Sequence, residues 1–343
     1  TLFVLPALYI IFEKSRLSKL AKSAVMLLLP VFLLLAPNTH AQQPITLNAA
    51  IDTALANNLT MRNQQLNANY LEKLKQAGWD VNQTMISGEY GKINSAYNDN
   101  RFSISQTIKF PVIYNRQKSL LQDEWKEGAL NVVLKQTELK KQVTLVYYQM
   151  IYLRGKKELL LYTDSIYAMF LDKASQRFKL GESNLLEKTT AETQRGQIAQ
   201  QLKLLQQDYS ILQARLKVLL NTTSDIEPAN DPLKMLMPAA IDSTALSKHP
   251  YAQLLAQQQQ TSQSRYKLEK SRLLPDLVVT YNNMSMRGMG ADDKEYTGST
   301  RFQAAQVGVG IPLFFGAQKA KIGAQKINQE LAENNYQSGL QQL

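Results

Sequence analysis

A heptad seam over residues 139–178 limits this chain more than any other feature. Leu139, Val143, Val146, Met150, Leu153, Leu160, Tyr167, Leu171, Ala174 and Phe178 follow one another in alternating steps of four and three. Only Lys157 and Asp164 interrupt the pattern. That period is the signature of a left-handed coiled coil. The predicted helix runs from Tyr114 to Lys179 and spans about 100 Å, at the usual rise per helical residue. Just before it, residues 103–110 (SISQTIKF) alternate as a strand and turn at Pro111. A strand joined to so long a helix does not fold around one spherical core, which argues against an ordinary globular enzyme.

The seam stops at Lys179-Leu180-Gly181-Glu182-Ser183. Gly181 is placed to end one helix and Ser183 to cap the start of the next. A second seam follows: Ile198, Leu202, Leu205, Tyr209, Leu212, Leu216 and Leu219, ending near Asn221. Two seams joined by a tight turn predict an antiparallel helical hairpin with Gly181 at its tip. Upstream, residues 45–80 read as a helix interrupted at Asn57-Asn58. Strands are expected over 84–90 and 102–110, around a polar loop at 91–100. Residues 222–240, rich in Pro and Asp, read as a linker.

The chain then repeats itself. Ala54-Leu55 before Asn57-Asn58 corresponds to Ala245-Leu246 before Lys248-His249, and Gly88-Glu89-Tyr90 to Val279-Thr280-Tyr281. At a larger offset, Ile108-Lys109-Phe110-Pro111 matches Val309-Gly310-Ile311-Pro312, and Gln117-Lys118 matches Gln318-Lys319. The second copy therefore predicts helix, strand, long polar loop (282–301), strand and helix start, and is cut off at Leu343. The expected fold is mainly α with a minor β part. Gly-bearing, imperfectly alternating strands suit a curved barrel wall. Four strands cannot close a barrel, so several chains must contribute, and an exported barrel of this kind is an outer-membrane solution. A small soluble sheet is the plainer alternative.

The net charge is +11 and Cys is absent, which excludes disulfides and thiolate metal sites. Lys and Arg are scattered among Gln and Glu along the helices, as on solvated faces, and no nucleic-acid motif is present. Residues 1–13 are apolar through Phe12 and too short to span a bilayer. Residues 14–41 hold a basic run (Lys14 to Lys22), an apolar run (Ala24 to Ala36), and Thr39 and Ala41 before Gln42. These are the parts of a secretory signal, with a transmembrane helix as the alternative, and either exports the rest.

Two resemblances follow from these residues. Thr1-Leu2-Phe3-Val4-Leu5-Pro6-Ala7-Leu8-Tyr9 with Glu13 resembles the last transmembrane helix of RND-type efflux permeases, nearer the heavy-metal branch. The region from Gln42 onward resembles the TolC-type outer membrane efflux proteins, in its duplication, its Phe110-Pro111 and Ile311-Pro312 turns and its tip. The resemblance divides the chain into a first repeat over 42–240 and a second over 241–343. It implies a homotrimer in outer-membrane lipid and the periplasm, with a barrel above and a helical tunnel below. It implies a periplasmic adaptor (membrane fusion) protein docking at the tip and an inner-membrane RND permease as pump. The tip residues carried over are Leu180, Gly181, Glu182, Ser183 and Glu187, the last standing where relatives have Asp. The implied role is passive export of heavy-metal cations such as copper, silver, zinc or cobalt, with drugs as the alternative cargo. A non-conducting coiled-coil adaptor is the rival, but it would not need a duplicated strand-helix unit.

No catalytic set, phosphate loop or cofactor site is legible. His40 falls in the signal-like segment, and His249, where the first repeat has Asn58, points to a helix start. Met284, Met286 and Met289 form one soft cluster that could touch Cu(I). Arg287 in their midst opposes a cation, and ordinary rim packing explains them equally.

Overall fold

The computed structural model describes residues 43–229 and 247–343. The permease-like and signal-like segments, residues 230–240 of the linker and Ala245-Leu246 lie outside the described residues. In chain order the elements are β1 (Gln43–Ile45), α1 (Leu47–Asn57), α2 (Leu59–Leu74), β2 (Met85–Gly91), β3 (Asp99–Ile108), α3 (Pro111–Lys179) and α4 (Leu185–Leu220). Then come β4 (Ile226–Pro228), α5 (Pro250–Ser271), β5 (Asp276–Ser285), β6 (Gly288–Met289), β7 (Glu295–Tyr296), β8 (Arg301–Gly310) and α6 (Gly316–Gln342).

Capping residues set most helix boundaries. Thr46 caps α1, and Asn58 ends α1 and starts α2. The Asn58 side-chain oxygen accepts from the amides of Thr60 and Met61, and its amide nitrogen donates to Leu219 O at 3.0 Å. His249 does the same work in the second repeat, where Nδ1 accepts from the Tyr251 amide. The predicted helix over 45–80 is thus two helices and a short 3-10 turn at Lys75–Gly78. Its first residue, Ile45, belongs instead to β1, which pairs in parallel with β4. The expected linker therefore holds a strand. Pro111 is the first residue of α3, where its missing N–H costs nothing. The second repeat differs: α6 begins four residues after Pro312, at Gly316, and the Lys319 amide makes the early helical bond to Phe315 O. Leu313-Phe314-Phe315 are left exposed between strand and helix.

At 69 residues, α3 is the spine. Along its upper part Leu139, Val143, Val146, Tyr147 and Met150 are buried against α1 and against Leu216 and Leu220 of α4. Toward the tip the seam thins, with Ala174 of α3 and Ala191 and Ile198 of α4 as buried members. One of its two polar interruptions is paired: Asp164 receives Arg195 of α4 through two contacts, 3.1 and 3.4 Å.

The α3–α5 and α5–α6 contacts are built differently. Ser264 of α5 donates to the buried Asp123 at 2.7 Å, and Arg265 pairs with Glu124 at 2.7 Å. Gln257 donates to the Asp123 carbonyl, and Asn328 of α6 to Ser262. So the hairpin is zipped by apolar knobs, while the second repeat is held to it by these polar pairs together with a small apolar cluster of Ile113, Leu120 and Leu268.

Met150→Ala should cost about 2–5 kcal/mol, the usual range for emptying a fully buried site. Leu161→Ala, at an exposed position outside both seams, should cost under about 0.5 kcal/mol. Denaturant unfolding followed by helical signal compares the two, and equal costs would contradict the packing described.

Candidate functional site

Four strands form one antiparallel sheet in the order β2-β3-β5-β8. Its register decides which residues share a face. Ile86 lies opposite Ile104, Ile104 opposite Tyr281, and Tyr281 opposite Ala305. Ile108 lies opposite Leu277, and Leu277 opposite Val309. By the two-residue period, Phe102, Val279 and Val307 join them on one face. These side chains have little cover, Val307 being 74% exposed.

The opposite face is polar. Arg101 pairs with Glu89 at 3.0 Å, Ser103 donates to Asn282 at 2.6 Å, and Ser105 meets Thr280 at 2.9 Å. At the loop end the apolar face also turns polar, where the Arg301 guanidinium donates to Asn100 and Asn283. The outer edges of β2 and β8 have no strand partner among the described residues. Such a sheet suits lipid on one face, water on the other, and further strands at both edges. No described helix is long and apolar enough to cross a membrane, which leaves a strand-built wall untouched.

The loops above the sheet are pinned by Asp99. Its buried carboxylate accepts from Ser95 Oγ at 2.9 Å, the Arg287 amide at 2.9 Å and Ser285 Oγ at 3.3 Å. It thereby ties the first-repeat loop to the second. Within the long loop, Tyr296 donates to Asp292 at 2.9 Å and holds that carboxyl below its ordinary value. Met284 is not in the loop, because β5 continues to Ser285. Met284 lies in the ladder between Arg101 and Phe302, and its sulfur accepts a weak bond from Asn94. Met289 sits exposed in β6, and Met286 lies between the two strands. No group of three His, Asp or Glu among the described residues is arranged to hold a metal.

At the other end, the hairpin tip is a closed hydrogen-bonded turn. Gly181 has φ +76°, a backbone state that a Cβ disfavours. The Glu182 amide bonds Arg177 O and the Gly181 amide bonds Phe178 O, the double pattern of a Schellman end. Ser183 does not cap α4. Asn184 does, its side chain accepting from the Glu187 amide at 3.1 Å. A longer turn fits between the helices because Asn184 adopts extended backbone, and this leaves the Ser183 hydroxyl to donate to the Glu187 carboxylate. Arg177 also reaches Glu187 at 3.2 Å, so the carboxylate links both helices. Leu180 is 73% exposed, and Leu185 and Leu186 are also exposed.

One feature of α3 escaped the sequence reading. Leu145, Tyr152, Leu159, Tyr162, Ile166 and Met169 are exposed, and with Tyr148 and Gly155 they trace a second four-three register. The first seam hid it, because a helix with two seams has apolar residues nearly all round. Searching each helix for two offset heptads would have found it. Near the top of α4, burial with the Glu227 carboxylate nearby pushes the Tyr209 hydroxyl up, and Arg154 opposes the shift.

No protein-family model and no curated protein matches the chain. Solved structures do. CusC, described for its transmembrane channel formation, is similar at TM-score 0.71 and 14% identity, over 90% of this chain and 76% of that one. The Campylobacter jejuni CmeC outer membrane channel is similar at TM-score 0.68 and 16% identity, over 89% and 72%. The Vibrio cholerae outer membrane protein VceC is similar at TM-score 0.67 and 13% identity, over 86% and 75%. The chain thus has the fold of TolC-type outer-membrane channels.

Gly181→Ala should loosen the tip by about 1 kcal/mol, since Ala pays for left-handed backbone. Gly196→Ala, mid-helix with open space around it, should instead stabilise α4 by up to about 1 kcal/mol. Hydrogen exchange of the Gly181 and Glu182 amides reads the first effect, and unchanged protection there would contradict the capping account.

Proposed function

We propose that the chain is a protomer of a trimeric outer-membrane duct that passively passes substrate from an inner-membrane pump to the exterior. One observation carries this reading: a four-stranded sheet with one apolar face, one polar face and two open edges, continuous with coiled-coil hairpins. In lipid an open edge leaves backbone groups unpaired at several kcal/mol each, so the sheet must close. Four strands are too few, whereas three copies supply about twelve, above the roughly eight of the smallest barrels. The likeness to solved outer-membrane channels supports the same reading. The second seam of α3 gives neighbouring helices a surface to pack on, as a tunnel wall requires.

The exposed tip is the docking point for a periplasmic adaptor. Leu180, Gly181, Glu182 and Ser183 present the surface, and Glu187 holds its two sides together. Opening would shift the coiled coil near this turn, biased by the adaptor. The pump would be an RND permease, a reading supported by residues 1–13. Heavy-metal cations are the favoured cargo for the same reason, and drugs the alternative. Met284, on the polar face, is the best placed of the three methionines to meet a soft cation in the lumen.

The absence of Cys allows a direct test. Paired cysteines are introduced on the open edges, Gly88→Cys or Tyr90→Cys on β2 with Val307→Cys or Val309→Cys on β8. Oxidation in membranes should give covalent dimers and trimers in at least one register, since sulfurs bridge only when Cβ atoms approach to about 4 Å. A panel that yields monomers throughout contradicts the duct.

A further inference from the structure

We propose that the junction between sheet and helices is a basic-aromatic collar that docks on the anionic phosphate layer of the periplasmic leaflet of the outer membrane. The inference rests on the outer-membrane reading above and goes further, to a site with its own lipid partner.

The apolar face of the sheet does not stop at the last ladder rung. On β8 the alternation Val307, Val309 continues to Ile311 and Leu313, and on β3 Ile108 continues to Phe110. All but the half-buried Ile108 are exposed. Beyond them stands Phe314, 98% exposed, with Phe315 beside it. At the junction leading into β2, Trp79 is exposed while its ring stacks on Tyr114. Large rings held in the open at the end of an apolar band are the pattern of an interfacial belt.

The charge around these rings is predominantly basic, with Asp80, Asp276 and Glu269 as the acids at the junction. The first turns of α3 carry Arg116 and Lys118 and no acid before Asp123. Those of α6 carry Lys319 and Lys321 and no acid before Glu330. All four are exposed. Lys319 lies over the Phe315 ring, 4.5 Å from its centre, so the cation is held beside the aromatic pair. Long basic stems over apolar surface, with their heads toward phosphate, are how such side chains behave at a lipid boundary. The scattered Lys and Arg elsewhere on the helices are mixed with Glu and Asp and lack this bias.

The collar would set the depth of the barrel and stop it sliding along its axis. The test places single spin labels on the cysteine-free chain through Val307→Cys, Phe314→Cys and Lys326→Cys, in vesicles with and without phosphatidylglycerol. Collision with oxygen and with a water-soluble nickel complex reads depth. The expected order is 307 in hydrocarbon, 314 at headgroup depth and 326 in water. Lys319→Glu with Lys321→Glu should move position 314 toward water in phosphatidylglycerol vesicles and leave it unmoved in phosphatidylcholine. If 307 is in lipid but 314 is as open to nickel as 326, the collar is wrong and the barrel stands. If the charge reversals have no effect in either lipid, the phosphate partner is wrong. If 307 itself is open to nickel, the outer-membrane reading fails and the collar falls with it.

Discussion

Unpaired backbone on the outer edges of β2 and β8 is the constraint on which the rest of the structure depends. Each edge offers a row of N–H and C=O groups, and the face between them is apolar and uncovered. Water satisfies the edges but not the face, and lipid satisfies the face but not the edges. Closure with further strands in a membrane meets both demands. The long hairpin then follows mechanically. The α3 helix starts within three residues of the end of β3, so it must leave the sheet nearly in line with the strand. That places its tip about 100 Å away, far outside any bilayer.

Two kinds of helix contact divide the labour below the sheet. The α3–α4 seam is apolar near the top, where Val143, Val146 and Met150 meet Leu216 and Leu220. Apolar knobs in holes have one good register and resist sliding. The α3–α5 contact adds Asp123–Ser264 and Glu124–Arg265 to a smaller apolar cluster of Ile113, Leu120 and Leu268. Polar pairs can be exchanged for water at modest net cost, so the polar stretch of this contact is the easier one to shift. Below Met150 the first seam thins, Asp164–Arg195 replaces an apolar knob, and the second seam stands exposed. The lower hairpin is therefore the part that most needs neighbours.

Much of this was legible in the sequence, wherever a period or a cap carried it. The α3 seam was visible because its four-three alternation runs through ten residues with two breaks. Asn58 and His249 could be matched because both sit before a helix at equivalent places, and both prove to be caps. Ser183 was misassigned because Ser and Asn cap equally well, and only the backbone of Asn184 decides between neighbours. Strands β1 and β4 were invisible at three residues each, since parallel pairing between distant segments leaves no local period. Met284 falls in a polar, Gly-bearing stretch that predicts a loop, whereas the ladder to β3 and β8 carries the strand on to Ser285. The two-faced sheet needed the register, since Gly308 and Gly310 blur the alternation of β8.

The central claim is a closed pore made by several copies of this chain, and conductance in planar bilayers tests it most directly. The full chain from Gln42 onward, extracted from membranes and added to a bilayer, should give discrete, long-lived steps of uniform size. A folded helical protein that inserts no conducting unit, at any concentration that maintains its oligomer, would contradict the account and point to a scaffold that conducts nothing.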